Sequence, residues 1–559
     1  MEVSMNTKGF RRYGKQVREA ELAGNVLRLP NGFLGKKLLP LWLHPNYILL
    51  EDFLVRNTKG DAMDVDEEFK VRKSQFHLVG TPGIGKSYFG HYWFFKQAKD
   101  GKRVIWRSQG GVFVYFDFSL EDPFVHASSD YVVPSPWLED IETIWLVVDG
   151  GCEGLDHDGF VLQCVSPGRS GYHEFAKDVG VPFHLEAWTL EELMQCRDAL
   201  NLGFTDEELA ERFYYCGGLP REVLDKRKTS QSLKDTMTTA VSWAPSWEAV
   251  IRDVASGADA ISNYLLHYRL QRELDVNAVA SDCVLRFTLK FASFFVEDLV
   301  VDKFQRQGHG KVREFFDFCQ RVPEARALSG KFFEKNVHRK LQDGGGDYTI
   351  KDLATPDKPL PVFELKPSST KRLRCWEVTK VAEGKPSKDE KMRGSAVIGK
   401  EESVGLASLD RGCFVNSYAA IFKSLDSFVV PDIMIQCTCS LDHKIFWAPV
   451  LEVVQEYDRW YSLQGSTPPP YYRLIFIVPE CQFRNFKFQG YKKEDGTDYL
   501  ELQPEMSRVR QLALSFPWVQ AQPSTLVISK DSIYLSLQFY FSKGTSIFKV
   551  FICKSAPYS

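Results

Sequence analysis

Residues 80–87 read GTPGIGKS, the spacing G-x-x-x-x-G-K-[ST] in full. The glycines, Gly80, Gly83 and Gly85, let a loop turn tightly enough for the backbone N–H groups of Thr81, Ile84 and their neighbours to face a phosphate, with Pro82 stiffening the turn. Lys86 would neutralise β/γ oxygens and Ser87 would ligate Mg²⁺, so ATP and Mg²⁺ are the expected cofactors. A second Mg²⁺ ligand should end another apolar strand. TIWLVVDGG offers Asp149 and VFVYFDFS offers Asp117. Asp149 is preferred, because a strand intervening between the grip and the metal carboxylate is the arrangement of the additional-strand class of P-loop ATPases. Gly150 follows Asp149 where many such enzymes place a water-orienting glutamate; Glu153 is the nearest substitute. Nucleotide binding is therefore the firmer expectation and turnover the weaker. Downstream, Arg169 in VSPGRS is placed to sense a γ-phosphate. Arg221 in GGLPR matches the G-x-P-R element of helical ATPase lids. Each arginine taken alone is more often a surface ion-pair residue, and the two gain weight only as a series following the loop.

The second half carries a different chemistry. In GKFFEKNVHRKL, Glu334 and His338 fall four apart, on one face of a helix. Asp426 precedes an apolar run ending in Gln436-x-Thr438. Nucleases of the restriction-endonuclease-like fold place a carboxylate at one strand end and (D/E/Q)-x-K on the next, where they hold Mg²⁺ or Mn²⁺ and a lysine steadies the attacking water. Asp426 is the expected metal ligand, Gln436 fills the second slot and Glu334 is a helix-borne helper. Thr438 stands in the lysine's place without its charge, and His443 or Lys444 could supply it. The same residues also read as ordinary loop and strand-edge positions.

Positioning these groups needs about three domains in 559 residues. Apolar runs at QFHLVG, VFVYFDF, TIWLVVD and FVLQCV alternate with polar or helical stretches, which predicts a parallel sheet with helices on its faces. The α/β class follows. Residues 1–70 read as a lead-in packed on the grip domain, 71–188 as that domain's core, and 189–325 as a helical lid that includes ISNYLLHYRLQREL. Residues 326–559 read as a second α/β domain. A formal net charge of −3 advertises no overall basic field, although a local basic patch is compatible with it. Twelve cysteines without a CxxC pair predict reduced, mostly buried thiols rather than zinc. No run reaches the roughly 18 apolar residues of a membrane span, so no membrane partner is expected. The N-terminus shows no apolar signal core.

The order LRLPNGFLG, LVGTPGIGKSYFGHYW, VDG, VSPGRSGYHEFAK, WTLEEL, GGLPREVL, GKFFEKNVH, then D…IQCTCSLDHKI and FIVPECQF…FKFQ, over residues 25 to 490, resembles the Crinkler/RHS family. These are effectors of oomycetes and some fungi, and retrotransposon hot spot proteins of trypanosomes. The resemblance implies a P-loop NTPase of the additional-strand class with a helical lid, followed by a restriction-endonuclease-like domain whose active site is often diverged. It places the carboxylate on Asp426 rather than Asp432, Gln-x-Thr on Gln436 and Thr438, and a recurring histidine on His443. It implies secretion, action in a host nucleus, and DNA and host nuclear proteins as partners. The N-terminus lacks the translocation header with an LFLAK-like stretch, so a cytoplasmic or nuclear protein is the alternative. The function expected is an ATP-binding module controlling a Mg-dependent, DNA-directed nuclease. Two alternatives stand beside it: a nucleotide-switched DNA- or protein-binding effector with a dead nuclease fold, and an ATPase whose second half is a scaffold.

Overall fold

Runs such as FVYFD and WLVVD are stable only where both faces of a strand are covered, and both are buried along their whole length. The structure is a computed structural model that describes residues 7–29, 40–59, 75–107, 111–150, 157–164, 180–244, 246–256, 264–272, 280–356, 360–361, 363–365, 369–373, 409–417, 425–493, 495–517, 524–530, 533–542 and 545–554. The chain divides into two compact units. The first comprises Met1–Asp302 and Phe315–Phe332, and the second comprises Lys303–Glu314, Phe333–Lys380 and Ser403–Ser559.

In the first unit, helix α1 (Pro45–Lys59) precedes β1 (Gln75–Val79) and α2 (Lys86–Lys99). Then come β2 (Arg103–Arg107), β3 (Phe113–Asp117), β4 (Phe124–Ser128), β5 (Trp145–Asp149), β6 (Phe160–Cys164) and β7 (Val181–His184). They form one seven-stranded sheet in the order β7-β1-β6-β5-β2-β3-β4. From β7 to β2 all neighbours are parallel, while β3 and β4 extend the edge as antiparallel strands. The strand that separates the grip strand β1 from β5 is thus β6, which follows both in sequence.

Helices α3 (Leu190–Leu200), α4 (Asp206–Cys216) and α6 (Ser230–Trp243) each begin with a capping box, at Thr189, Thr205 and Thr229. Each cap satisfies one backbone donor at the helix start and is worth about 1 kcal/mol. Between α4 and α6 lies the short α5 (Pro220–Val223), opened by its proline. The helical expectation for 261–274 is overturned in part: Leu266–Leu270 is a strand, β8, paired antiparallel with β9 (Phe287–Phe291). Leu266, His267, Tyr268 and Leu270 are all buried there. A short apolar run does not distinguish helix from strand by periodicity, and here the aromatic-rich FTLKF provides the pairing partner.

The second unit contains α7 (Arg326–Gln342, of which Phe333 onward belongs here), β10 (Ile350–Asp352), β11 (Ser369–Leu373), β12 (Cys413–Ser417), β13 (Ser427–Val429) and β14 (Ile433–Cys437). After α8 (Trp447–Leu463) come β15 (Tyr472–Pro479) and β16 (Val509–Phe516). The sheet order is β10-β16-β15-β14-β13-β12-β11. The strands β12, β13 and β14 form an antiparallel meander. Because β15 is parallel to β14, the chain must cross over, and α8 makes that crossing. Val450, Val453 and Tyr457 of α8 pack on Phe428, Met434 and Phe476 of the sheet. The Tyr457 hydroxyl donates to Ile433 O at 2.8 Å, which ties the helix to the strand that carries Gln436. Three further strands, β17 (Ser524–Lys530), β18 (Ile533–Ser542) and β19 (Thr545–Lys554), form a separate antiparallel sheet.

Candidate functional site

In the first unit the 80–87 loop joins β1 to α2 at the carboxyl ends of the parallel strands. Gly83 and Gly85 hold φ of 88° and 119°, backbone that only glycine adopts readily. A Cβ on Gly85 would also lie 2.6 Å from the Tyr47 hydroxyl. That hydroxyl donates to Gly85 O at 2.7 Å, and Trp188 Nε1 donates to Ile84 O at 3.0 Å. The lead-in helix α1 and the segment before α3 therefore hold the loop from outside. Neither Tyr47 nor Trp188 was singled out from sequence, since no spacing pattern marks them.

Lys86 is buried and donates to the carbonyls of Gly80 at 2.5 Å and Thr81 at 3.1 Å. Burial, with Arg221 adding repulsion, pushes its ammonium down to about 7. The Ser87 hydroxyl donates to Asp149 Oδ1 at 2.6 Å, bringing together the two expected Mg²⁺ ligands across 62 residues of sequence. Asp117 is excluded by strand direction. Since β3 runs antiparallel, Asp117 pairs with Arg103 at the opposite end of the sheet and accepts from its Nε at 3.0 Å. Arg221, at the start of α5, lies against the loop: its N–H donates to Gly83 O at 3.4 Å, and a Cβ on Gly83 would meet Arg221 Cβ at 2.9 Å. Arg169 and Glu153 lie outside the described residues. One further residue escaped sequence reasoning. Gln163, fully buried on β6, donates to Gly150 O at 3.3 Å, and its Oε1 lies 2.8 Å from His77 Nδ1 on β1. It links the grip strand to the residue after Asp149.

The donor set suits a phosphate with Mg²⁺. The Thr81 hydroxyl is buried with no hydrogen-bond partner, the ammonium rests on carbonyls alone, and a hydroxyl and a carboxylate converge beside it. Lys86 would hold the phosphate and Ser87 with Asp149 the cation, which would supply charge neutralisation there.

In the second unit, Asp426 stands immediately before β13 and Gln436 near the end of β14. Asp426 Oδ2 accepts from Gln436 Nε2 at 2.8 Å and from Cys437 N at 2.6 Å. Gln436 is buried, and its Oε1 has no hydrogen-bond partner. Thr438 Oγ1 accepts from Ser440 N at 3.1 Å and lies 3.4 Å from His443 Nδ1. Burial pushes the His443 imidazole down, so it is neutral at pH 7. Lys444 turns away to pair with Asp498 at 2.6 Å and does not join this group. Glu334 on α7 is near enough to Cys439, together with Cys481, to add to the burial that raises that thiol. Asp432 turns instead to the Tyr461 hydroxyl.

His443 is held by a residue that the sequence reading had not assigned. Gln489 Oε1 accepts from His443 N at 2.5 Å, while its Nε2 donates to Leu441 O at 3.2 Å and Lys487 O at 2.7 Å. Among the described residues no group of three His, Cys, Asp or Glu side chains is placed to hold a metal ion. A divalent cation here would rest on the Asp426 carboxylate and the Gln436 amide oxygen, hard oxygen donors that suit Mg²⁺ but carry a single charge. Among the cysteines whose side chains are described, Cys439 is half-buried, Cys481 is exposed and the other seven are buried. No described helix is long and apolar enough to cross a membrane.

Fold and sites define a mixed α/β protein with a glycine-rich loop beside a serine–aspartate pair in one unit and a carboxylate–amide pair in the other. No protein-family model matches the chain. Two proteins of Phytophthora infestans are similar to it. Crinkler effector protein 16 is 27% identical over 281 residues, 48% of this chain and 42% of that protein. Crinkler effector protein 15 is 26% identical over 279 residues, with the same coverage. The matched part thus spans less than half the length of these relatives. The similarities support a Crinkler-like relationship over the matched part.

Proposed function

We propose that the first unit is a P-loop NTPase module of the additional-strand class that binds ATP with Mg²⁺ and switches the state of an effector. The observation that carries this reading is the Ser87–Asp149 hydrogen bond beside a buried Lys86. The position of β6 between β1 and β5, and of Arg221 on the loop, supports it. Lys86 binds and orients the phosphates, Ser87 and Asp149 hold the cation, and Arg221 reports the nucleotide to the lid. Gly150 supplies no side chain to orient water, so binding rather than rapid turnover is the working state.

The second unit is read as a restriction-endonuclease-like module directed at DNA, with Asp426 and Gln436 holding Mg²⁺, His443 and Thr438 beside them, and Glu334 as helper. Secretion, action in a host nucleus and contact with host nuclear proteins follow from the family resemblance; a cytoplasmic or nuclear protein is the alternative. One observation favours a second reading, a nucleotide-switched DNA- or protein-binder with a dead nuclease fold. Asp426 already accepts two donors, and Thr438 brings no charge.

Plasmid cleavage in Mg²⁺ or Mn²⁺, with and without ATP, separates the two. Cleavage lost in Asp426→Ala and altered in Lys86→Ala supports the gated nuclease. Intact plasmid with DNA retained by both wild type and Asp426→Ala supports the binder. ATP binding unchanged in Lys86→Ala refutes the nucleotide reading altogether.

A further inference from the structure

Arg212 sits on α4 and is buried, and the nearby Glu222 carboxylate is taken by Lys228. A buried guanidinium has five N–H donors to satisfy, and isolated burial of its charge is costly. Here four backbone carbonyls take the load. Nε donates to Val223 O at 2.6 Å, Nη1 to Lys228 O at 2.6 Å, and Nη2 to Glu222 O at 3.1 Å and Asp225 O at 2.7 Å. The Phe204 ring covers the guanidinium, 5.0 Å from its carbon.

All four carbonyls belong to the end of α5 and the turn that follows it. Helix ends leave carbonyls without intrahelical partners, and a four-residue helix cannot hold its own shape against that deficit. Its other end is fixed separately: Gly218 O accepts from Trp188 N at 3.0 Å, and Trp188 Nε1 holds the phosphate loop at Ile84 O. Between these two anchors stands Arg221, against Gly83.

We infer that Arg212 is a positioning residue for Arg221, gripping the carbonyl end of α5 so that the Arg221 side chain stays registered on the phosphate loop. The inference rests on the reading of that loop as a nucleotide site. Its content is specific: Arg212 acts on nucleotide through Arg221 and not by contact. Lysine keeps the charge but offers one nitrogen, which cannot span four carbonyls.

The test is a double-mutant cycle on the full chain, with Mg²⁺ and a fluorescent ATP analogue as probe. Arg221→Ala is expected to weaken binding about 10-fold, the scale of one charge-assisted hydrogen bond. Arg212→Lys and Arg212→Gln should each weaken it by a similar factor in the wild-type background and by none in Arg221→Ala. A purely structural defect would lower the folded fraction without changing the dissociation constant of the folded molecules.

Equal weakening by Arg212→Lys in both backgrounds, or none in either, overturns the inference while leaving the nucleotide site standing. Wild-type binding that is absent, or that survives Lys86→Ala, removes the site and the inference together. If neither Arg212 variant folds, hydrogen exchange of the wild type decides. ATP should slow exchange at residues 219–228 together with 80–87, and protection confined to 80–87 overturns the proposal.

Discussion

Binding of ATP should draw a proton onto Lys86. In the protein alone the ammonium is pushed down to about 7, because burial removes its hydration and Arg221 opposes it. The carbonyls of Gly80 and Thr81 accept its N–H bonds but provide no counter-charge. Phosphate oxygens would provide it, so the nucleotide-bound form keeps Lys86 charged. At pH 8 a group with a pKa of about 7 is protonated in about one molecule in eleven, so about 0.9 proton should be taken up per ATP bound. The nucleotide itself adds little, since the second phosphate pKa lies near 6. Each pH unit above 7 should weaken binding by about 1.4 kcal/mol, about tenfold, and below 7 Lys86 should impose no slope. The same shift sets a stability slope with a definite sign. The unfolded chain, with Lys86 near its ordinary value of 10.5, binds more protons than the folded chain between about 7 and 10.5. Stability from this group therefore rises with pH through that window and is level outside it. Titration calorimetry at pH 8 in buffers of different ionisation enthalpy reads the proton count directly. Binding with no uptake would refute the argument. Lys86→Arg, charged at every accessible pH, should bind without uptake; the same uptake in that variant would place the proton elsewhere.

Other consequences are as direct. Gly85→Ala should lose about 1–3 kcal/mol from its φ of 119°, with nucleotide affinity falling alongside, as read by thermal shift with and without ATP. Gln163→Leu removes two buried hydrogen bonds and should cost about 2 kcal/mol in urea unfolding; an unchanged midpoint would show that the His77–Gly150 link contributes nothing. Burial pushes His77 and His184 down to about 4, so the unfolded chain binds more protons between about 4 and 6.5. Each histidine should therefore remove about 2 kcal/mol between pH 6.5 and 5; His184→Phe should flatten its share of that acid loss, as measured by urea unfolding at both pH values. Asp426→Ala deprives Cys437 N of its acceptor and should cost about 2 kcal/mol as well as any cleavage. Cleavage that survives would place the metal elsewhere.

What could be read in the sequence was chemistry whose partners lie near in the chain or whose backbone needs are written in residue type. The 80–87 loop is of that kind, since positive φ at Gly83 and Gly85 leaves glycine no rival. The closeness of Asp426 and Gln436 is too, because ten residues and one turn make a hairpin. The preference for Asp149 over Asp117 rests in the sequence on strand order alone; its physical reason is strand direction, which composition does not carry, since both end fully buried apolar runs and the antiparallel pairing of β3 sends Asp117 to the far end. Tyr47 and Trp188 act across 38 and 104 residues through single hydrogen bonds, Gln163 acts through two and Arg212 through four, and no periodicity betrays any of them.

Lys444 shows the reverse case. Adjacency to His443 suggested a shared task, yet the chain there turns into an extended pairing with Gly490 and Tyr491, and the lysine reaches Asp498. The charge that Thr438 lacks is therefore not restored from the next strand end, and His443 beside it is held neutral by burial. With no lysine charge beside Asp426 and Gln436, cleavage should be slow, and the neutral imidazole of His443, 3.4 Å from Thr438 Oγ1, is the base at hand, so His443→Ala should slow it further.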